Sequence, residues 1–91
     1  MPRPRLNRKI RHCHCNRFYK PQGIPMSQLK KTSLTFEEME VLRLKHSEDL
    51  DQNQIAKKMN TSQSTVQRIL SLAHDKIAKA LINGDAIEIS E

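Results

Sequence analysis

Residues 50–70, Leu-Asp-Gln-Asn-Gln-Ile-Ala-Lys-Lys-Met-Asn-Thr-Ser-Gln-Ser-Thr-Val-Gln-Arg-Ile-Leu, leave few alternatives for how this chain folds. Asp51 is a strong helix cap, and Gln54 three positions on completes a capping box. Ile55, Ala56 and Met59 then form one apolar face, so a first helix starts after Asp51. Asn60 follows the last apolar position, and its short polar side chain tolerates the left-handed conformation that ends a helix. Ser62 can cap a second helix, on which Val66, Ile69, Leu70, Ala73 and Ile77 recur at three- and four-residue spacing. The opposite face of that helix is Gln63, Ser64, Gln67, Arg68 and Ser71. Such a face matches base edges: Gln bonds adenine in two places, Arg forks onto guanine, and Ser suits either. The pattern predicts a helix-turn-helix whose second helix enters the major groove of double-stranded DNA. An ordinary helical hairpin with a solvated polar face is the alternative.

Two resemblances bear on that choice. Residues 37–44 (Glu-Glu-Met-Glu-Val-Leu-Arg-Leu), Leu50-Asp51-Gln52, Gln54-Ile55-Ala56, Met59 and residues 62–70 resemble region 4 of the sigma-70 factors. The resemblance implies a helix-turn-helix in which the first two turns of the second helix enter the major groove. By position it implies that Gln63, Ser64, Gln67 and Arg68 contact base edges or adjacent phosphates. That family usually carries Gly at the turn position that Asn60 fills here. The second resemblance covers nearly the whole chain. Met-Pro-Arg-Pro-Arg at the start, residues 18–25 (Phe-Tyr-Lys-Pro-Gln-Gly-Ile-Pro) and residues 80–87 (Ala-Leu-Ile-Asn-Gly-Asp-Ala-Ile) are similar to motifs of a family of short prokaryotic proteins of unknown function. The role that family implies is DNA binding through a sigma-like helix-turn-helix. The chain departs from it at 12–15, where the family tends to have a Cys followed by apolar residues and Pro.

Charge is unevenly spread. Of a net +6, residues 1–36 hold nine Lys or Arg and no acid, while residues 37–91 hold seven against ten Asp or Glu. A basic segment joined to a mildly acidic helical body implies a polyanion partner, nucleic acid before others. Pro2 and Pro4 keep the first residues extended, so Arg3, Arg5, Arg8, Lys9 and Arg11 project from an arm. Such an arm can follow the DNA backbone or a minor groove, adding affinity more than specificity. A disordered solubilising tail is the plainer alternative.

His12-Cys13-His14-Cys15 invites a metal reading, since all four side chains are good ligands for zinc or copper. Four consecutive residues do not converge easily on one ion, because neighbours in an extended chain point to opposite faces. His46 and His74 are the only other histidines, and both fall on predicted helices far along the chain. No metal or other cofactor is therefore expected and the plain reading is a pair of reduced thiols beside the arm; zinc on these four residues is the alternative. Cysteines only two positions apart do not make a disulfide framework, which points to a reducing, cytoplasmic setting. No apolar run approaches the roughly 20 residues that span a bilayer. The charged N-terminus has no hydrophobic stretch behind it, as a signal peptide requires.

The expected architecture is mainly α, with three main helices and short β segments near both termini. Hydrophobic residues are 36% and aromatics 3%, so the core should be aliphatic. Residues 1–33 form the basic arm and a wrap containing Pro21, Gly23 and Pro25, with Phe18, Tyr19, Ile24 and Met26 available to pack onto the helices. Residues 34–91 form the helix-turn-helix domain with a short tail. Thr35 and Glu38 make a capping box for a helix reaching Ser47, with Glu37, Glu38 and Glu40 near its positive pole. The last helix runs to Ile82 and stops at Asn83-Gly84. Residues 86–89 alternate like a strand, with Leu6–Cys13 or Thr32–Leu34 as candidate partners.

No Gly-rich phosphate loop, metalloprotease motif or enclosed acid–base pair is evident, so catalysis is not expected. The function indicated is sequence-specific DNA binding by a transcriptional regulator. The alternative is a protein-interaction adaptor that uses the sigma-like module on RNA polymerase or another partner. Leu72, Ile77 and Leu81 either cap the core or supply a homodimer interface. If the arm grips phosphates, deleting residues 1–11 will weaken binding to every DNA sequence alike. The slope of log affinity against log salt will flatten by roughly one unit for each phosphate that the arm no longer neutralises.

Overall fold

Each of the three helices begins at a residue that the sequence marks as a cap. In the computed structural model, which describes residues 16–91, the Thr35 hydroxyl accepts from the Glu38 backbone N–H at 3.1 Å. The Glu38 carboxylate accepts in return from the Thr35 N–H at 2.9 Å. Asp51 and Gln54 repeat this reciprocal exchange at 2.8 and 2.9 Å. Ser62 Oγ accepts from the Thr65 N–H at 3.2 Å. From these caps run α1 (Phe36–Leu42), α2 (Gln52–Met59) and α3 (Gln63–Asn83). A single π-type stretch, Arg43–Ser47, extends α1 by a wider turn, so the helical segment ends where the periodicity predicts.

The helix ends share one device. Asp49, Asn60 and Gly84 take left-handed conformations with φ of 58°, 59° and 73°. The next N–H then bonds back into the last turn: Leu50 to Leu44 at 3.1 Å, Thr61 to Ala56 at 2.9 Å and Asp85 to Ala80 at 2.9 Å. Carbonyls that a helix end leaves orphaned are satisfied this way. Asn60 closes the turn between α2 and α3 without glycine, as its place in the pattern implies.

Among the described residues three strands make one sheet in the order β1 (Arg17–Tyr19), β3 (Ala86–Ser90), β2 (Lys31–Thr35). β3 runs antiparallel to β1, with Phe18 opposite Glu88, and parallel to β2, with Leu34 opposite Ile89. A parallel pair needs a crossover, and here the crossover is the whole helical unit. The period-two pattern holds over residues 87–89, where Ile87 and Ile89 are buried while Glu88 reaches Lys31 at 3.9 Å; Ala86 before them is fully buried as well. Of the two partners proposed for this strand, Thr32–Leu34 lies within β2, and Leu6–Cys13 falls outside the described residues.

The wrap differs from expectation. Residues 17–19 are a strand, and Met26–Gln28 form one turn of 3₁₀ helix after Pro25. Phe18, Tyr19 and Ile24 stay 53%, 53% and 38% exposed. Phe18 pairs with Glu88 on the outer face of the sheet, whereas Tyr19 pairs with Ile87 on the face toward the helices and lines a groove with Leu81. Tyr19 also lies under the Arg17 guanidinium at 5.9 Å, two residues along the same face.

Two buried clusters sit on either side of α1. Val41, Leu44, Ile55, Ala56, Met59, Val66 and Leu70 join α1, α2 and the first half of α3. Leu34, Ala73, Ala80, Ile87 and Ile89 join the sheet to the second half of α3, with Phe36, Met39 and Ile77 against them. Leu42 touches both clusters. The core is aliphatic apart from Phe36 at its margin, as the composition requires.

Two of the three acids in α1 are not solvated partners of the helix dipole. Glu38 and Glu40 are 5% and 0% exposed. Glu38 receives Lys76 Nζ on both carboxylate oxygens, at 3.1 and 3.0 Å, while the same ammonium donates to the Ser33 carbonyl at 3.0 Å. Glu40 receives the Arg43 guanidinium in a two-point contact at 3.1 and 2.9 Å, and Glu48 takes the outer edge of that guanidinium at 3.1 Å. The bond to Glu40 is the largest influence holding the Arg43 pKa above its ordinary value, against the opposing effect of burial; Glu48 adds to it. Arg43→Met takes a two-point partner away from a buried carboxylate and will lower stability by roughly 1–3 kcal/mol, which thermal melts read as a clear drop in the melting temperature.

Candidate nucleic-acid interface

The polar face of α3 follows from how its apolar stripe is seated. Val66 and Ala73 are fully buried and Leu70 nearly so, which fixes the rotation of the helix about its axis. Gln63, Ser64, Gln67, Arg68 and Ser71 are consequently all exposed, along the first three turns. The sequence-predicted reader residues therefore form one continuous face. Among the described residues Arg68 makes no ion pair, so its guanidinium fork is available to a ligand.

The N-terminal end of this face is organised by side chains. Ser62 Oγ bonds the hydroxyls of Thr65 and Ser64 at 2.8 and 3.2 Å as well as capping the helix. Gln63 Nε2 donates to Gln52 Oε1 at 3.0 Å, linking the first residue of α3 to the first residue of α2. That bond does not use the Gln63 amide oxygen or the Gln52 amide N–H groups. A glutamine held by its neighbour has lost rotamer freedom before any partner arrives, which lowers the entropy cost of recognition. Sequence reading missed Gln52 as a site residue, because the pattern of α2 marks only its buried face.

The arm residues Arg3, Arg5, Arg8, Lys9 and Arg11 and the tetrapeptide His12-Cys13-His14-Cys15 lie outside the described residues. Among the described residues no three His, Cys, Asp or Glu side chains converge as a metal site. No helix among them is long and apolar enough to cross a membrane. A shallow groove of about 200 Å³ opens between β1 and the end of α3, with Tyr19, Pro21, Leu81 and Ile87 in its walls.

A short helical domain, with one long helix presenting a polar face and a three-stranded sheet clamping its far end, is the class of protein these elements define. The chain belongs to the family described as protein of unknown function DUF134, whose model matches residues 1–91. It is 43% identical over 90 residues to a UPF0251 protein of Pelotomaculum thermopropionicum, covering 99% of this chain and 68% of the relative. A UPF0251 protein of Dehalococcoides mccartyi is 47% identical over 89 residues, covering 98% and 76%. One from Moorella thermoacetica is 40% identical over 89 residues, covering 98% and 60%, so the chain spans less than two thirds of that relative. No solved structure matches the chain at a significant level.

Because the exposed face and the buried stripe belong to one helix, stability and surface chemistry separate cleanly. Gln63→Ala and Arg68→Ala will shift unfolding by no more than about 0.5 kcal/mol, as exposed substitutions usually do. Val66→Ala will cost about 2 kcal/mol through the cavity it leaves. Thermal melts of the three variants check this directly.

Proposed function

We propose that this protein is a sequence-specific double-stranded DNA-binding protein that acts in transcription regulation. The supporting observation is the exposed row of Gln63, Ser64, Gln67, Arg68 and Ser71 on a helix whose opposite stripe is buried. In this reading α2, the turn at Asn60 and α3 form a helix-turn-helix of the sigma-70 region 4 kind, with α3 in the major groove. Gln63, Ser64, Gln67 and Arg68 meet base edges or flanking phosphates, and Ser71 lies further along the groove. The N-terminus of α3, capped by Ser62, directs the positive end of its dipole toward the phosphates. Arg3, Arg5, Arg8, Lys9 and Arg11 add sequence-independent grip. The protein works in the cytoplasm as a binding module without catalytic activity, and a second copy on a palindromic site is the natural partner arrangement.

The adaptor reading draws on an acidic first helix as well as on the exposed long helix, and in the first of these Glu38 and Glu40 are spent on internal pairs with Lys76 and Arg43. That leaves Glu37 as the exposed acid of α1. An exposed polar face rich in amides fits base edges better than an acidic face fits a protein partner.

Selecting bound sequences from a random double-stranded pool tests the proposal. A recurring motif is expected, palindromic if two copies bind together. On that motif Arg68→Ala and Gln63→Ala will each lose about 1–3 kcal/mol of discrimination, relaxing preference at one position while non-specific binding changes little. Parent-like binding of the selected motif by both variants would remove α3 as the reader and favour the adaptor.

A further inference from the structure

Two histidines far apart in sequence meet on the surface of the helical unit. His46 sits in the π-type stretch that extends α1, and His74 sits midway along α3. Their Nε2 atoms are 2.9 Å apart, and the rings meet edge to face with centroids separated by 5.1 Å and planes inclined at 60°. Both side chains are exposed, so the contact hides no polar atom from water. As a hydrogen bond between exposed groups it contributes modestly. It also requires a lone pair on one Nε2, so it is broken when both rings carry a proton.

The geometry has a second use. Two imidazole nitrogens bound to one tetrahedral ion at about 2.0–2.1 Å lie roughly 3.3 Å apart. The observed separation needs to open by only a few tenths of an ångström, through small ring rotations, for both lone pairs to converge on an ion. The two backbones are held where this demands: Ala73, beside His74, is fully buried, and Leu44, two residues before His46, is 2% exposed. A chelate built on packed helices loses little freedom on binding. Asp75 is the nearest acid in sequence, and it is engaged by Lys79 at 3.2 Å. With no third protein ligand among the described residues, water completes the shell.

We propose that His46 and His74 form a two-imidazole clamp for a borderline first-row divalent ion such as Zn²⁺, Ni²⁺ or Cu²⁺, stapling the end of α1 to the middle of α3. Imidazole selects this group of ions over Mg²⁺ and Ca²⁺, which take oxygen ligands. Binding puts the ion where the bridging proton lay, that proton moving to Nδ1 of the ring that donated it, and favours the folded state, because the unfolded chain does not hold the two rings together. The site does not depend on the DNA-binding reading and would stand without it.

The full chain carries four histidines and two cysteines, so the N-terminal cluster must be silenced to see this pair alone. In the 91-residue chain carrying His12→Gln, Cys13→Ser, His14→Gln and Cys15→Ser, the clamp residues are the only histidines and no cysteine remains. Titrating it with Ni²⁺ at about pH 7.5, followed by calorimetry and by the imidazole proton resonances, is expected to show one equivalent bound. Both rings should broaden together, and the melting temperature should rise by roughly 5 °C or more at a large excess of ion. Adding His46→Gln or His74→Gln should abolish the binding and the rise while leaving the helical circular dichroism of the metal-free protein intact. Absence of Ni²⁺ binding to the four-substitution variant overturns the proposal. So does binding that survives loss of either ring.

Discussion

One helix serves two cores, and the rest of the molecule is arranged around that obligation. The apolar stripe of α3 passes from Val66 and Leu70, against α1 and α2, to Ala73 and Ala80, against the sheet. Small residues in the second half let the helix lie close to β2 and β3, where Leu34, Ile87 and Ile89 supply the bulk. The first half needs larger side chains because it meets two helices rather than a flat layer. A helix pinned at both ends cannot rotate about its axis, so burial along one side dictates what the other side displays. The row from Gln63 to Ser71 is therefore a product of packing as much as of its own composition.

Polar locks reinforce the same geometry. Lys76 reaches from α3 to both oxygens of Glu38 and to the Ser33 carbonyl, tying helix, helix and strand at one ammonium. Glu38 is also the partner of Thr35 in the capping box of α1, so the charge that closes the helix start receives the tie from α3. Arg43 performs the complementary task at the other end of α1, spanning Glu40 and Glu48 across the π-type turn. Buried ion pairs contribute little net stability compared with well-packed apolar groups, but they tolerate few alternative arrangements. Here the Lys76 pair fixes how α1 sits against α3 and β2, and the Arg43 pairs hold the shape of the turn that ends α1.

Local signals in the sequence carried most of the helical architecture. Thr35, Asp51 and Ser62 are caps whose partners lie within three residues, and Asn60 and Gly84 end helices through their own backbone preferences, so a reader of the chain needs no distant information to place them. The pairing of β3 with two strands is different in kind. Alternation marks Ile87 and Ile89 but does not say which distant segment lies alongside, and a strand as short as Arg17–Tyr19 has too few residues to show a period. The burial of Glu40 was equally hidden, since an acid near a helix start reads as a solvated group until its Arg is found three residues on and turned inward. The candidate face on α3 was legible because burial and exposure there obey one helical period. The Gln52–Gln63 bond and the meeting of His46 with His74 were not, because each joins residues from different elements.

The placement of β3 at the centre of the sheet bears on how the molecule comes together. Both of its pairings, with Arg17–Tyr19 and with Lys31–Thr35, close most of the described chain into loops. The contacts among α1, α2 and the first half of α3 join segments that are near neighbours in sequence. Closing a long loop costs more entropy than closing a short one, and non-local pairings slow folding. The expected order is collapse of the helical unit first and docking of the last strand afterwards. A nascent chain would then display the polar face of α3 before its clamp is in place, and strand completion would convert a mobile helix end into a rigid one.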